Sequence, residues 1–204
     1  NVHQLCKGED NSARILLFAG REFLAGRPAK VKKYARIILE KKGVKIIEGV
    51  RAERVEEDSV VSTGGTEYKT DIIFCAVGVR PSSLFFDSGF SVGTSGGLPV
   101  NTFLQSTEYP NIFGGGDCID FLAEPLAKVG VYAVRQNPTI FNNLMAALEE
   151  TSLTVFEPGG DYLLIYNLGS REGVLSKWSA TIAGVFAFRL KDYIDRKFMR
   201  TYQK

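Results

Sequence analysis

A chain of 204 residues, 45% hydrophobic and 24% charged with 21 glycines and 7 prolines, has the usage of one or two globular domains. That composition excludes a disordered tail, a collagen and a disulfide-stapled mini-protein. With 25 Lys and Arg against 23 Asp and Glu the net charge is +2, too balanced to point to nucleic acid or an acidic polymer as the main partner. Cys6, Cys75 and Cys118 stand far apart with no CxxC pair, and His3 is the one histidine, which argues against a metal site or a disulfide framework and fits a reducing compartment. No apolar run approaches the roughly 20 residues that span a bilayer, and the first residues lack the pattern of a signal peptide. The expected setting is cytoplasmic, with a peripheral membrane contact left open.

Arg14 to Ala19 is a short apolar run closed by Gly20, the length of a buried parallel strand. From Pro28, the spacing of Val31, Tyr34, Ala35, Ile38 and Leu39 predicts a helix that stops at Gly43, and Val44 to Ile47 begins a second strand. Strand, helix, strand in that order is half of a doubly wound α/β sheet. Between Gly49 and Thr70, alternating segments broken at Gly64-Gly65 predict an antiparallel flap with a tight turn. Asp71 to Gly78 reads as a buried strand ending in glycine, and Arg80-Pro81 prevents its continuing as helix.

Phe90 to Gly97 reads as loop, and Asn111-Ile112-Phe113 as a strand running into Gly114-Gly115-Gly116-Asp117. Glycines there would let backbone N–H groups approach a phosphate or sugar, and a carboxylate beside them accepts ribose-like hydroxyls; the plain alternative is a simple loop. Val129 to Leu148 has a helical pattern in Val134, Ile140, Phe141, Leu144, Met145 and Leu148, with Pro138 predicting a kink or an offset start. Tyr162 to Tyr166 and Gly173 to Trp178 read as strands, and Ser179 to Lys204 as a terminal helix. Pattern changes at Arg80-Pro81 and Glu149-Glu150-Thr151 predict three parts: residues 1–80, 81–150 and 151–204, the last an α+β domain.

In this order the segments resemble the FAD-dependent pyridine nucleotide-disulfide oxidoreductase superfamily. Ala76-Val77-Gly78 is similar to its A-T-G motif, and Asn111 to Asp117 to its second flavin motif. Lys128-Val129-Gly130-Val131-Tyr132-Ala133-Val134-Arg135-Gln136-Asn137-Pro138 resembles the flavin-facing helix of the branch holding type II NADH dehydrogenase-like proteins and the flavoprotein module fused to selenide, water dikinase. Leu190 to Arg200 resembles that module's terminus. The resemblance implies a partial Rossmann-like fold in which residues 1–80 belong to an NAD(P)-binding domain and 81–150 to the second half of an FAD-binding domain. It implies FAD and NAD(P)H as cofactors and a small-molecule electron acceptor, a quinone being the candidate.

The same resemblance assigns roles. Asp117 would hold the ribityl chain, Gly115 and Gly116 would allow close backbone approach, and the helix start at Val129 and Gly130 would aim its positive end at the flavin. Lys128 would add a stabilising charge near flavin N1, against the alternative of a solvated lysine. Gly78 would admit the second dinucleotide, against the alternative of a glycine that merely ends a strand. At the end of the first strand Arg21 points to a 2′-phosphate and Glu22 to a ribose hydroxyl, with no decision between them.

Two departures qualify this. No G-x-G-x-x-G fingerprint is present, so residues 1–10 read as the tail of a nucleotide-binding helix and the chain as the C-terminal part of a longer protein, inactive alone. The redox cysteine pair is missing too, and Cys118 reads as a small buried group. A non-catalytic binding or assembly module therefore stands as the alternative. From Lys177 to Lys204, seven basic and two acidic residues give a local +5, interleaved with Trp178, Phe186, Tyr193, Ile194, Phe198 and Met199. Residues 178–204 are the expected contact with a membrane surface or a second subunit.

Overall fold

The computed structural model describes residues 13–178 and 180–203; the readings placed on residues 1–10, His3 and Cys6 lie outside the described residues. In chain order the elements begin with β1 (Ile15–Phe18), α1 (Ala29–Lys41), β2 (Val44–Ile47), β3 (Ala52–Val55), β4 (Ser59–Ser62) and β5 (Glu67–Lys69). They continue with α2 (Leu84–Asp87), β6 (Leu98–Val100), β7 (Ile119–Phe121) and α3 (Gly130–Leu148). The chain closes with β8 (Leu164–Asn167), β9 (Gly173–Lys177), β10 (Ala180–Gly184) and α4 (Val185–Tyr202). The class is α/β, with no helix among the described residues long and apolar enough to cross a membrane.

Two compact units divide the chain: the described residues up to Phe74 together with Asp161 onward, and Cys75–Gly160. Residues from 161 on belong with the first unit, where buried Val174 of β9 joins Phe23, Val31 and Ala35 in one apolar cluster.

In the first unit β1 and β2 pair in parallel, Ile15 opposite Val44 and Phe18 opposite Ile47, joined by α1 as the crossover requires. Val31 and Ala35, four apart, are the fully buried stripe of α1, and Gly43 at φ +76° ends it by taking the left-handed conformation glycine favours. Glu48 follows β2 and accepts the Phe23 N–H at 2.6 Å and the Arg36 guanidinium at 2.5 Å. Those two partners hold its carboxyl below the ordinary glutamate value. The flap is the antiparallel sheet β3-β4-β5, turned at Gly65.

The C-terminal sheet has β9 in the middle, antiparallel to both β8 and β10. Its tight link to α1 runs through Lys42, whose ammonium donates to Leu168 O and Gly169 O, both at 2.8 Å, and pairs with Glu172 at 2.9 Å. The helix expected from Ser179 starts later, at Val185. Trp178, at φ +51°, reverses the chain, and Ala180–Gly184 pairs with β9 before the helix begins.

The apolar run Asp71 to Gly78 is not a strand. Residues 72–80 have no sheet partner among the described residues, and Ile72, Phe74 and Val77 are exposed. An extended segment becomes a strand only when a neighbour supplies its N–H and C=O partners, and apolar composition cannot supply them.

In the second unit β6 and β7 pair in parallel, Leu98 opposite Ile119 and Val100 opposite Phe121. With Leu104 and Phe156 these four form the core, Phe121 meeting Phe156 edge to face at 5.5 Å. The strand expected at Asn111–Phe113 is only a bridge from Phe113 to Gln105; the paired strand, β7, comes after the acid rather than before it. Helix α3 runs unbroken through Pro138. Its burial is the reverse of its apolar pattern: Gln136, Asn143 and Ala146 are buried, whereas Val134, Phe141, Leu144, Met145 and Leu148 are exposed, and Ile140 alone of the six packs on the core. Backbone groups of neighbouring loops, which need polar partners, explain the choice.

Candidate functional site

The link between the bridge at Phe113 and β7 is three glycines, the last of which opens a single 3-10 turn at Gly116–Cys118. Each glycine is required for a different reason. A Cβ at Gly114 would come 2.7 Å from Ile119 Cγ2, and one at Gly115 would overlap the Ile140 Cδ1 methyl and approach Gln136 Oε1 at 3.2 Å. Gly116 takes φ +72°. Its N–H donates to the side-chain oxygen of Gln136 at 2.6 Å, so the buried glutamine satisfies a loop amide that would otherwise be orphaned. On the side where a Cβ would stand, Gly115 lets α3 pack closely on the loop.

This packing leaves a cavity of about 350 Å³, lined in part by Gly93, Ser95, Gly116, Asp117, Lys128 and Tyr132. Such a volume lies within the range of small-ligand sites. Asp117 is half-buried at its wall, and among the described residues no group hydrogen-bonds its carboxylate. Next to it the Cys118 thiol donates to Gly115 O at 3.1 Å, the behaviour of a small packed group.

Opposite chemistry gathers at Asp120. Its carboxylate accepts the Ser95 N–H at 2.9 Å and the Ser95 hydroxyl, and it pairs with Lys128 Nζ at 3.3 Å. Lys128 also donates to Ile119 O. Burial pushes the Asp120 carboxyl up, but the Ser95 and Lys128 contacts outweigh it, and the group lies below the ordinary aspartate value. Gly93 lets the carboxylate sit beneath the loop, since a Cβ there would overlap it.

Of the residues expected at a site, the structure brings Gly116, Asp117 and Lys128 to one cavity. Gly115 lies behind it against α3. Val129 and Gly130 start α3 immediately after Lys128, and Gly78, at φ +106°, is exposed and not among the lining residues. Lys128 is neither free nor merely solvated, being tied into the Asp120 cluster. Ser95, Asp120 and Gln136 carry much of the geometry without having been singled out. The paired glycines Gly93 and Gly97 marked the Ser95 loop, and the seven-residue spacing of Gln136 and Asn143 marked a polar stripe on α3. In the first unit, Glu22 is engaged by Lys32 at 2.5 Å while Arg21 is exposed.

Residues 9–146 match the family described as pyridine nucleotide-disulphide oxidoreductase. The chain is 32% identical over 147 residues to ferroptosis suppressor protein 1 of Taeniopygia guttata, covering 71% of this chain and 38% of that protein. It is 25% identical over 122 residues to the mitochondrial internal alternative NAD(P)H-ubiquinone oxidoreductase A1 of Arabidopsis thaliana, covering 60% of this chain and 24% of that one. The sulfide:quinone oxidoreductase of Aquifex aeolicus has the same fold over 97% of this chain and 52% of its own, with a TM-score of 0.70 at 15% identity. The chain therefore spans less than two thirds of the relatives it matches. Its parallel βαβ half, its glycine-and-acid turn and the match over residues 9–146 agree: the chain belongs to the pyridine nucleotide-disulphide oxidoreductase family.

Proposed function

We propose that the intact protein is an FAD-dependent oxidoreductase that takes electrons from NADH or NADPH and delivers them to a small-molecule acceptor of the quinone class. The observation that carries this is the Asp117 carboxylate, an acceptor without a partner among the described residues, facing a cavity whose floor is built by Gly116 and whose rim is charged. A carboxylate so placed fits the paired hydroxyls of a ribityl chain. Bound flavin would supply the hydride acceptor and the relay of electrons. This chain's own part is to bind and orient. Asp117 accepts hydroxyls, the N-terminus of α3 at Val129 and Gly130 offers a positive dipole end of about 0.3–1 kcal/mol to an electron-rich edge, and Lys128 stands at the wall. Gly78, around whose Cβ position nothing lies within 4 Å, is the place where we put the approach of the nicotinamide dinucleotide. Residues 1–80 and 81–150 keep their proposed parentage as NAD(P)- and FAD-domain segments, and kinship of residues 190–200 with the module fused to selenide, water dikinase belongs to the same proposal.

The intact protein should be isolated yellow, release stoichiometric flavin on denaturation, bleach on adding NADH or NADPH and recover its colour with a soluble ubiquinone analogue. A colourless protein that stays colourless on adding FAD would overturn the reading in favour of a non-catalytic module. The 204-residue chain alone should hold FAD weakly, because Asp117 meets only one part of that ligand.

The acceptor's class accords with a membrane surface as the partner of residues 178–204. Trp178 is 73% exposed at the tip of the β9–β10 hairpin with Lys177 Nζ 4.4 Å over its ring. Phe186, Tyr193, Ile194, Phe198 and Met199 are exposed along α4 beside Lys197 and Arg200. Exposed aromatics among basic residues suit the headgroup region of an anionic bilayer. The intact protein should float with anionic liposomes in low salt and be released by high salt, and Trp178→Ser combined with Phe186→Ser should weaken flotation at least tenfold. A protein that does not float, or that dimerises through this face, refutes the assignment.

A further inference from the structure

Among the described residues, the one cation lining the cavity is Lys128, and its position is fixed by groups that no family motif named. Its ammonium is held between Ile119 O and the Asp120 carboxylate, with side chains only 19% and 15% exposed. Asp120 in turn is held by both the N–H and the hydroxyl of Ser95, on the loop opened by Gly93. The chain of contacts runs from the loop through the carboxylate to the lysine, and all three residues line the same cavity as Asp117.

We propose that Asp120 is a positioning residue that holds the Lys128 ammonium at the cavity wall and offsets its charge, so that the pair sets how strongly the cavity favours an electron-rich ligand. The inference rests on the flavin reading above. Its physical basis is the partial burial of the pair. There a single uncompensated charge is poorly screened, and removing its counter-charge changes the field on anything bound in the cavity. Asp120 touches no reacting atom in this account; it acts through Lys128. Replacing it with asparagine keeps a carbonyl that accepts from Lys128 and removes the negative charge, and Ile119 O still tethers the ammonium.

The test is the midpoint potential of the bound flavin, titrated against a reference dye in the intact protein. Asp120→Asn should shift it to more positive values, because the unmasked Lys128 charge stabilises the reduced ring. Lys128→Met should shift it to more negative values, because it leaves the Asp120 carboxylate without its counter-charge, and the double variant, which carries neither charge, should return towards the potential of the unaltered protein. A purely structural Asp120 would lower thermal stability without moving the potential against the sign of Lys128→Met. The proposal falls if Asp120→Asn leaves the potential unchanged or shifts it negative, or if Lys128→Met has no effect while flavin stays bound. Those outcomes leave the flavin assignment standing, whereas absence of flavin from the unaltered protein removes that assignment and this one together.

Discussion

Asn143→Ala is expected to destabilise the second unit by about 3–5 kcal/mol and to lower its melting temperature by more than any surface change. The side chain is fully buried on α3 and makes three hydrogen bonds: its amide donates to Phe103 O and Thr154 O, both at 2.8 Å, and its carbonyl accepts the Thr154 N–H at 2.7 Å. Alanine leaves all three backbone groups, one on half-buried Phe103 and two on exposed Thr154, without their side-chain partner, at about 1–3 kcal/mol each where water does not replace it. The effects overlap because two of the three belong to Thr154, hence a total below the sum. Asn143→Asp tests the cause. It has the same shape, but a carboxylate would face two carbonyl oxygens, so it should be at least as destabilising as alanine. An aspartate variant as stable as the unaltered protein would show that volume, not hydrogen bonding, is what Asn143 provides.

Asp117→Ala is expected to weaken flavin retention in the intact protein by roughly tenfold to a hundredfold, the equivalent of about 1–3 kcal/mol for buried hydroxyls left without their acceptor. Folding should be little affected, since no protein group among those described depends on this carboxylate. Cys118→Ser, one residue away, should be far milder, because its Sγ has only the contact to Gly115 O to lose. Flavin content measured after gel filtration checks both. An Asp117 variant with unchanged flavin would remove Asp117 from the site.

These two residues show how unevenly the chain declares itself. Asp117 was legible because a glycine run followed by an acid is a local pattern with a chemical use. Asn143 was not, since nothing in its neighbourhood says that Phe103 and Thr154 fold against it. Asp120 and Ser95 were hidden for the same reason, lying 25 residues apart and meeting only through the parallel pairing of β6 with β7.

The βαβ half, the flap turned at Gly65 and the extent of α3 follow from the sequence by itself, because hydrophobic period, helix stops and turn glycines act over a few residues. Only the tertiary structure decided which face of α3 is inside. The apolar residues at helical spacing marked the helix, but Val134, Phe141, Leu144, Met145 and Leu148 are exposed, while loop amides and carbonyls are met by the buried Gln136 and Asn143. It likewise decided that 71–78 stays unpaired for want of a neighbouring strand, and that residues from 161 on share a core with Phe23, Val31 and Ala35. Periodicity records what each segment offers for burial; which surface accepts it is settled by the distant backbone groups and side chains that pack there.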